Sequence, residues 1–269
     1  MPVDHYENFP VASIALPARY RRPVALIYRF AREADDIADE GHATAEDRLR
    51  HLRQYSDSLR DLEAQRLPAI AWFSDLGAAI RAYHLPFEPF HDLLSAFSQD
   101  VTCTRYSRYE DVRDYCERSA NPVGRLLLAL YGADDSENRC SSDAICTALQ
   151  LINFLQDVGV DYEKGRIYLA LDELAEAGLT PDDIARGRND ARWEAFMKQQ
   201  VARARALLVS GTGLGRVMRG RLGFEMRTII SGGARILDKI DAVRGDVFHR
   251  RPVLKWHDWP LLVMRALTP

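Results

Sequence analysis

The sequence predicts an all-α fold, read as one domain over residues 1–269. Three observations carry this. Apolar residues recur at three- and four-residue steps in long segments. There is no run of short alternating strands, and neither a fixed-period repeat nor a low-complexity linker divides the chain. At 47% hydrophobic and 28% charged, with 16 Gly and 12 Pro in 269 residues, the composition excludes a disordered tail or a collagen-like repeat.

The elements follow from local chemistry. A first helix is expected from about Pro23, which suits a first turn, through Val24, Ile27, Phe30 and Ile37. A second starts at Thr44, whose Thr-Ala-Glu-Asp string fits a capping box, and carries Leu49, Leu52, Tyr55 and Leu59. Further helices are expected over Phe87 to Gln99, Tyr109 to Tyr131, Asp143 to Tyr162, Thr180 to Leu208 and Met226 to Val243. Thr180-Pro181-Asp182-Asp183 is a helix start, with a capping hydroxyl, a proline at the first position and acids at the positive end of the dipole. Ser210-Gly211-Thr212-Gly213-Leu214-Gly215-Arg216 reads as a turn between helices, because its third glycine is misplaced for G-x-G-x-x-G and no strand precedes it.

Charge and targeting features narrow the function classes. The longest apolar stretch without formal charge, Ala144 to Gln156, is shorter than the roughly 18 residues a membrane span needs. The N-terminus lacks a basic start and an apolar block, so a cytoplasmic location is expected. A net charge of -3 argues against a nucleic-acid partner. Residues 201–269 nevertheless hold 13 Lys/Arg against 5 Asp/Glu, a surplus that suits a phosphate-bearing ligand, the anionic inner membrane surface or a plain solvated face. Cys103, Cys116, Cys140 and Cys146 form no C-x-x-C pair and are expected as buried thiols. The seven histidines show no zinc-binding spacing, and neither a G-x-S-x-G elbow nor a Walker loop is present.

Two segments concentrate chemistry. In Tyr28 through Asp39, residues Tyr28, Arg32, Asp35 or Asp36, and Asp39 fall at three- and four-residue steps, on one helical stripe. Carboxylates so gathered repel one another unless a cation sits among them, and a hard divalent ion is the usual solution. A plain solvated acidic face, as at Asp134-Asp135, is the competing reading. In Gln150 through Asp161, residues Asn153, Asp157 and Asp161 repeat every four positions. Leu149, Leu151, Ile152, Phe154, Leu155 and Val158 fill the other sides, so a helix buried nearly all round is expected. Buried carboxylates need partners. A shared cation, with a diphosphate ester completing its shell, is one solution, and a buried network using Arg32 and Arg125 is the other.

Taken in order and spacing, these segments resemble the squalene/phytoene synthase family. The matching positions are Phe9, Ile27-Tyr28 through Asp35-Asp36-Ile37-Ala38-Asp39, Tyr115-Cys116 leading to Ala120 and Val123-Gly124, then Gln150, Asn153, Asp157, Asp161 and Gly165-Arg166-Ile167-Tyr168. Asp246-Val247-Phe248 with Arg250-Arg251 is similar to that family's closing segment, so the likeness runs from about His5 to Lys255. The resemblance implies an all-α bundle around a central cavity and an isoprenoid diphosphate as substrate. It implies that Asp35, Asp39, Asn153, Asp157 and Asp161 hold Mg2+, with Asp36 beside them in the catalytic set. His5, Tyr28, Arg32, Gln150 and Arg250 would bind the diphosphate end. Phe9, Tyr115, Phe154 and Tyr168 would present aromatic faces to a carbocation.

Departures from the family pattern sharpen the reading. Glu7-Asn8 stands where the family usually has Lys-Ser before the phenylalanine that is here Phe9. Gln156 stands where it usually has Arg, and a tyrosine is replaced near Gly232-Gly233. Each change removes a grip on a prenyl diphosphate, which favours one preformed diphosphate over two donors. His5-Tyr6-Glu7-Asn8-Phe9-Pro10 and Ser119-Ala120-Asn121-Pro122-Val123-Gly124-Arg125 resemble the hydroxysqualene-forming branch, which implies ionisation of presqualene diphosphate and capture by water, without NADPH. The alternatives are a head-to-head prenyl transferase making presqualene diphosphate, squalene or phytoene, and an inactive relative serving as a scaffold. Peripheral contact with the inner membrane would suit lipid substrates.

Overall fold

A computed structural model describes residues 16–267, so His5 and Phe9 lie outside the described residues. The helices, in chain order, are α1 (Ala18–Asp39), α2 (Ala45–Glu63), α3 (Phe73–Tyr83), α4 (Glu88–Asp100), α5 (Tyr109–Ser119), α6 (Asn121–Tyr131) and α7 (Ser136–Gln156). They continue with α8 (Val158–Glu163), α9 (Leu171–Glu176), α10 (Pro181–Ala185), α11 (Ala191–Ser210), α12 (Leu214–Val217), α13 (Gly220–Ala242) and α14 (Trp259–Leu267). The all-α expectation holds: among the described residues the sole β pairing is an isolated bridge between Arg105 and Ile167. No described helix is long and apolar enough to cross a membrane.

Several helix boundaries differ from the sequence reading, each for a local reason. α1 begins at Ala18 and contains Pro23. A proline lacks the N–H that would bond the carbonyl four residues earlier. Here that carbonyl, on Arg19, accepts a hydrogen bond from the Tyr83 hydroxyl at 2.8 Å instead. The helix expected over Tyr109 to Tyr131 is two helices, α5 and α6, because Pro122 at the start of α6 forces a restart after Ala120. The helix expected over Thr180 to Leu208 divides into α10 and α11, with Gly187 at φ +58° and Asp190 capping α11 through the Arg192 and Trp193 amides. The stretch from Asp143 to Tyr162 divides at Asp157, whose φ of -110° and ψ of 13° leave the helical region.

Two compact units make up the described chain. The first takes residues up to 103 together with 117–139, and the second takes 104–116 and 140 onward. In the first, α1 is held by an aromatic core. Phe30 is fully buried and packs edge-on against Phe90 at 5.0 Å, with Phe73 at 5.8 Å and Tyr55 at 6.0 Å. Such pairs add about 0.5–1.5 kcal/mol each beyond area burial. Thr44 accepts from the Asp47 amide at 3.2 Å, the N-cap expected for α2.

The second unit is built on Trp193, fully buried on α11. Its indole N–H donates to the Gly245 carbonyl at 2.9 Å, and its ring lies 4.9 Å from Phe248. Gly245 adopts φ +74°, and a Cβ there would meet Met197 at 2.8 Å, so the turn excludes a side chain. Gly233 lets α13 close onto α7, since an added Cβ would sit 2.8 Å from Leu149. Among the cysteines Cys116 is buried, Cys103 and Cys146 are half-buried and Cys140 is exposed, and all four are free thiols. The expectation of buried thiols is therefore corrected at Cys140, near the polar start of α7.

Asp258 ties α13 to the turn before α14. Its side chain is wholly buried and accepts from Arg235 Nε at 2.8 Å, Lys239 Nζ at 2.5 Å and the Lys255 amide at 2.7 Å. Burial pushes its carboxyl up. The bonds from Lys239, Lys255 and Arg235 outweigh that and hold it well below the usual carboxylate range. Breaking a buried pair by removing one partner costs roughly 3–5 kcal/mol. Both cations keep some solvent access, so Asp258→Asn is expected to lose about 3 kcal/mol, at the low end of that range. Urea unfolding at pH 7 measures it, and a loss no larger than that of an exposed ion pair would contradict the assignment.

Candidate active site

The first acidic stripe lies on α1, to one side of the face that buries Ile27, Phe30, Ala34 and Ala38. Arg32 pairs with Asp36 at 2.8 Å and with Asp35 at 3.6 Å. Tyr28 and Asp39 are half-buried on the same helix. The end of α1 is fixed from α2: the Arg48 guanidinium donates to the carbonyls of Ile37, Gly41 and Ala43 at 3.1, 2.9 and 3.1 Å. Those bonds satisfy backbone acceptors at and just beyond the helix end, where Asp39 is the last helical residue.

Asp35 is the electrostatic centre of the stripe. Its side chain keeps 37% of its surface, yet enough protein surrounds it to strip much of its hydration. Burial, then the neighbouring Asp39, push its carboxyl up to about 7; Arg32 lowers it, and Asp100 and Asp36 raise it further. One guanidinium does not neutralise this set. A carboxyl that solvent can reach but that resists ionisation is poised for an incoming cation.

The second stripe lies on α7 and α8. The i−4 bonds continue through the division, with the Asp157 amide on Asn153 O at 2.9 Å and the Asp161 amide on Asp157 O at 2.8 Å. The expectation of burial on nearly all sides is corrected here. Leu151, Ile152, Phe154, Leu155 and Val158 are buried, but Asn153 and Val160 are exposed and Gln150, Asp157 and Asp161 are half-buried. Gln156, which takes the place of the family's usual arginine, points into the core at 2% exposure. A residue three positions past Phe248 supplies positive charge instead: Arg251 Nε donates to Asp157 Oδ1 at 2.5 Å, while Arg250 is exposed. The chain 245–251 is anchored for this by Trp193 on Gly245 and Phe248. The sequence reading named Arg250 for the substrate and did not single out Arg251, because nothing in a two-residue basic string says which side chain turns toward Asp157.

Beside this stripe the second unit gathers aromatic rings. Phe154 and Tyr168 stack at 4.1 Å with 5° between planes, and Tyr115 lies 6.1 and 5.6 Å from them. Tyr106 stacks on Tyr168 at 5.8 Å. The rings meet because segment 104–107 runs along 167–172, with the Ile167 amide on Thr104 O and the Leu171 amide on Tyr106 O, both at 3.0 Å.

Among the described residues no three His, Cys, Asp or Glu side chains close on one another as a metal cage. Mg2+ takes one or two protein carboxylates and completes its octahedron with water and substrate phosphate. The donors on both stripes are oxygens, the ligand type that ion prefers.

The squalene/phytoene synthase family model matches residues 3–258. Hydroxysqualene synthase of Sinorhizobium fredii is 33% identical over 236 residues, covering 87% of this chain and 79% of that protein. Hydroxysqualene synthase of Zymomonas mobilis is 36% identical over 228 residues, covering 83% and 75%. Among solved structures, squalene synthase HpnC from Alicyclobacillus acidocaldarius superposes with a TM-score of 0.83 at 36% identity, covering 90% of this chain and 91% of that one.

The raised Asp35 carboxyl makes a stability prediction with a definite sign. Its folded value lies above the ordinary 3.8, so its contribution is fully present below about pH 4 and is lost as pH rises through about 7. In chelator-treated protein, Asp35→Asn should therefore raise the melting temperature, and by more at pH 8 than at pH 5. An equal or opposite change at the two pH values would contradict the placement of that charge.

Proposed function

The chain belongs to the squalene/phytoene synthase family, an isoprenoid enzyme family, and from that footing we propose that it converts presqualene diphosphate to hydroxysqualene and pyrophosphate. The observation that carries the reading is likeness over more than four fifths of the chain to two bacterial hydroxysqualene synthases. The departures at Glu7-Asn8 and Gln156 support it, because each removes a cationic or hydroxyl grip that a two-donor condensation would use.

Asp35 and Asp39 on one stripe, with Asn153, Asp157 and Asp161 on the other, would hold Mg2+, which when bound neutralises charge growing on the departing pyrophosphate. Arg32 and Tyr28 bind and orient the diphosphate from α1. Arg251 fixes the rotamer of Asp157 and brings a second guanidinium to the anion. The apolar face of α7 excludes bulk water from the carbon skeleton. Phe154 and Tyr115 would bring ring quadrupoles to the allylic cation, at about 0.5–2 kcal/mol per ring, with Tyr168 stacked on Phe154 and Tyr106 behind them. Water then supplies the hydroxyl, so no hydride donor is used.

Lipid substrate and product call for a peripheral position at the inner membrane surface. The exposed Trp256, Val263, Met264 and Leu267, flanked by Lys255 and Arg265, support it. The protein should float with anionic vesicles at low salt and release at high salt; no flotation at any salt would contradict it.

Purified protein given presqualene diphosphate and Mg2+, without NADPH, should yield hydroxysqualene, and Asp157→Asn should cut turnover at least about a hundredfold. Squalene formed only on adding NADPH, or product formed from farnesyl diphosphate alone, would overturn the assignment. No turnover by the wild-type chain, with its folding unimpaired or strengthened in Asp35→Asn and Asp157→Asn, would mark a scaffold.

A further inference from the structure

Several helical hydroxyls in this chain return to their own backbone. Ser98 Oγ donates to Leu94 O at 2.7 Å, Ser210 Oγ to Leu207 O at 2.7 Å and Thr228 Oγ1 to Phe224 O at 2.8 Å, the local bond open to a hydroxyl on a helix. Ser58 Oγ and Ser119 Oγ are instead buried with no hydrogen-bond partner. An unpaired buried hydroxyl costs stability, so each calls for a reason. Ser58 is 1% exposed on the α2 stripe of Leu52, Tyr55, Leu59 and Leu62, where it packs as a small core residue. Ser119 stands elsewhere: the residue is half-buried, while its oxygen is covered.

The position of Ser119 on α5 gives its hydroxyl a direction. α5 ends at Ser119 and buries Val112, Tyr115 and Cys116. At about 100° per residue, Ser119 stands about 40° round the axis from Tyr115 and about 60° from Cys116, so it extends that inward stripe. It lies one turn, about 6 Å along the axis, from Tyr115. Capping does not account for it, because the N-cap of α6 is Ala120 and no side chain bonds there. The hydroxyl thus keeps one donor and two lone pairs unclaimed on the stripe that carries the Tyr115 ring.

We propose that the Ser119 hydroxyl positions the water that captures the cation. This rests on the hydroxysqualene reading and on its assignment of the Tyr115 ring to the allylic cation. Aromatic faces stabilise a cation but do not orient a water, whereas a hydroxyl does. Ser119 Oγ accepts one O–H of the water and leaves an oxygen lone pair for the carbon. That lone pair forms the C–O bond, the O–H bond of the resulting oxonium breaks, and its proton passes to pyrophosphate, the base that ionisation itself releases. Ser119 neither gains nor loses a proton and is a positioning residue. Without a water so held, the same cation discharges by losing a proton from carbon, giving a polyene.

The readout is the ratio of alcohol to hydrocarbon among C30 products from presqualene diphosphate and Mg2+, measured beside the rate of pyrophosphate release. Ser119→Ala and Ser119→Cys, which remove the hydroxyl with little change of volume, should each lower that ratio about fivefold or more and leave pyrophosphate release unchanged. A purely structural hydroxyl would not move the ratio. Wild-type ratios in both variants, or alcohol and pyrophosphate falling together, would overturn the inference while leaving the functional reading intact. Wild-type protein that releases pyrophosphate without forming any alcohol would instead overturn the reading itself. Independently of turnover, a crystal structure of the chain with a thio-diphosphate analogue and Mg2+ should show an ordered water on Ser119 Oγ, and an Oγ bonded to a protein carbonyl or left dry would reject the proposal.

Discussion

Like charges gathered on one helix face repel, and at Asp35 that repulsion is compounded by lost hydration. The carboxyl resists ionisation until about neutral pH although Arg32 lies beside it. A fold tolerates such a group only where the surrounding structure is stable enough to hold it. α1 has that support in the Phe30, Phe73 and Phe90 cluster beneath and the Arg48 guanidinium at its end. On the proposed function, a bound divalent cation would relieve that repulsion.

The second unit answers the same problem differently. Asp157 already has a guanidinium partner in Arg251, brought there by a turn that Gly245 makes sterically feasible and Trp193 locks. Gln156 has withdrawn into the core, so the positive charge beside Asp157 comes from a residue 94 positions away in the chain. A charge carried on a distant segment depends on that segment staying docked. The Trp193 and Phe248 contacts thus help hold Arg251 at Asp157.

Legibility in the sequence followed physical locality. The cap at Thr44, the stripe on α1 and the capping box at Thr180 with Asp183 were readable because cause and effect lie within four residues. Helix breaks were less so. Asn121-Pro122 and Gly187 signal a restart, but the apolar periodicity on either side runs through them and hid the break. α3 and α14 escaped notice because both are short, and the second is apolar on several sides. Of the sites, the acidic stripes were legible from spacing. The bonding of Glu173 to Gln200 and Arg203 was not legible, since those partners sit 27 and 30 residues away and each alone reads as a solvated side chain on a helix. The turn of Arg251 rather than Arg250 toward Asp157 is likewise set by tertiary docking.

The central claim of the proposed function is that the acidic stripe of α1 would bind a pyrophosphoryl group through a divalent cation that displaces the proton of Asp35. Calorimetric titration of a thio-diphosphate analogue at pH 6.5, in two buffers of different ionisation enthalpy, tests it directly. With Mg2+ present, binding should be tight and should release a proton that Asp35→Asn does not. Equal affinity in the presence of chelator, or identical heats in both buffers, would contradict it.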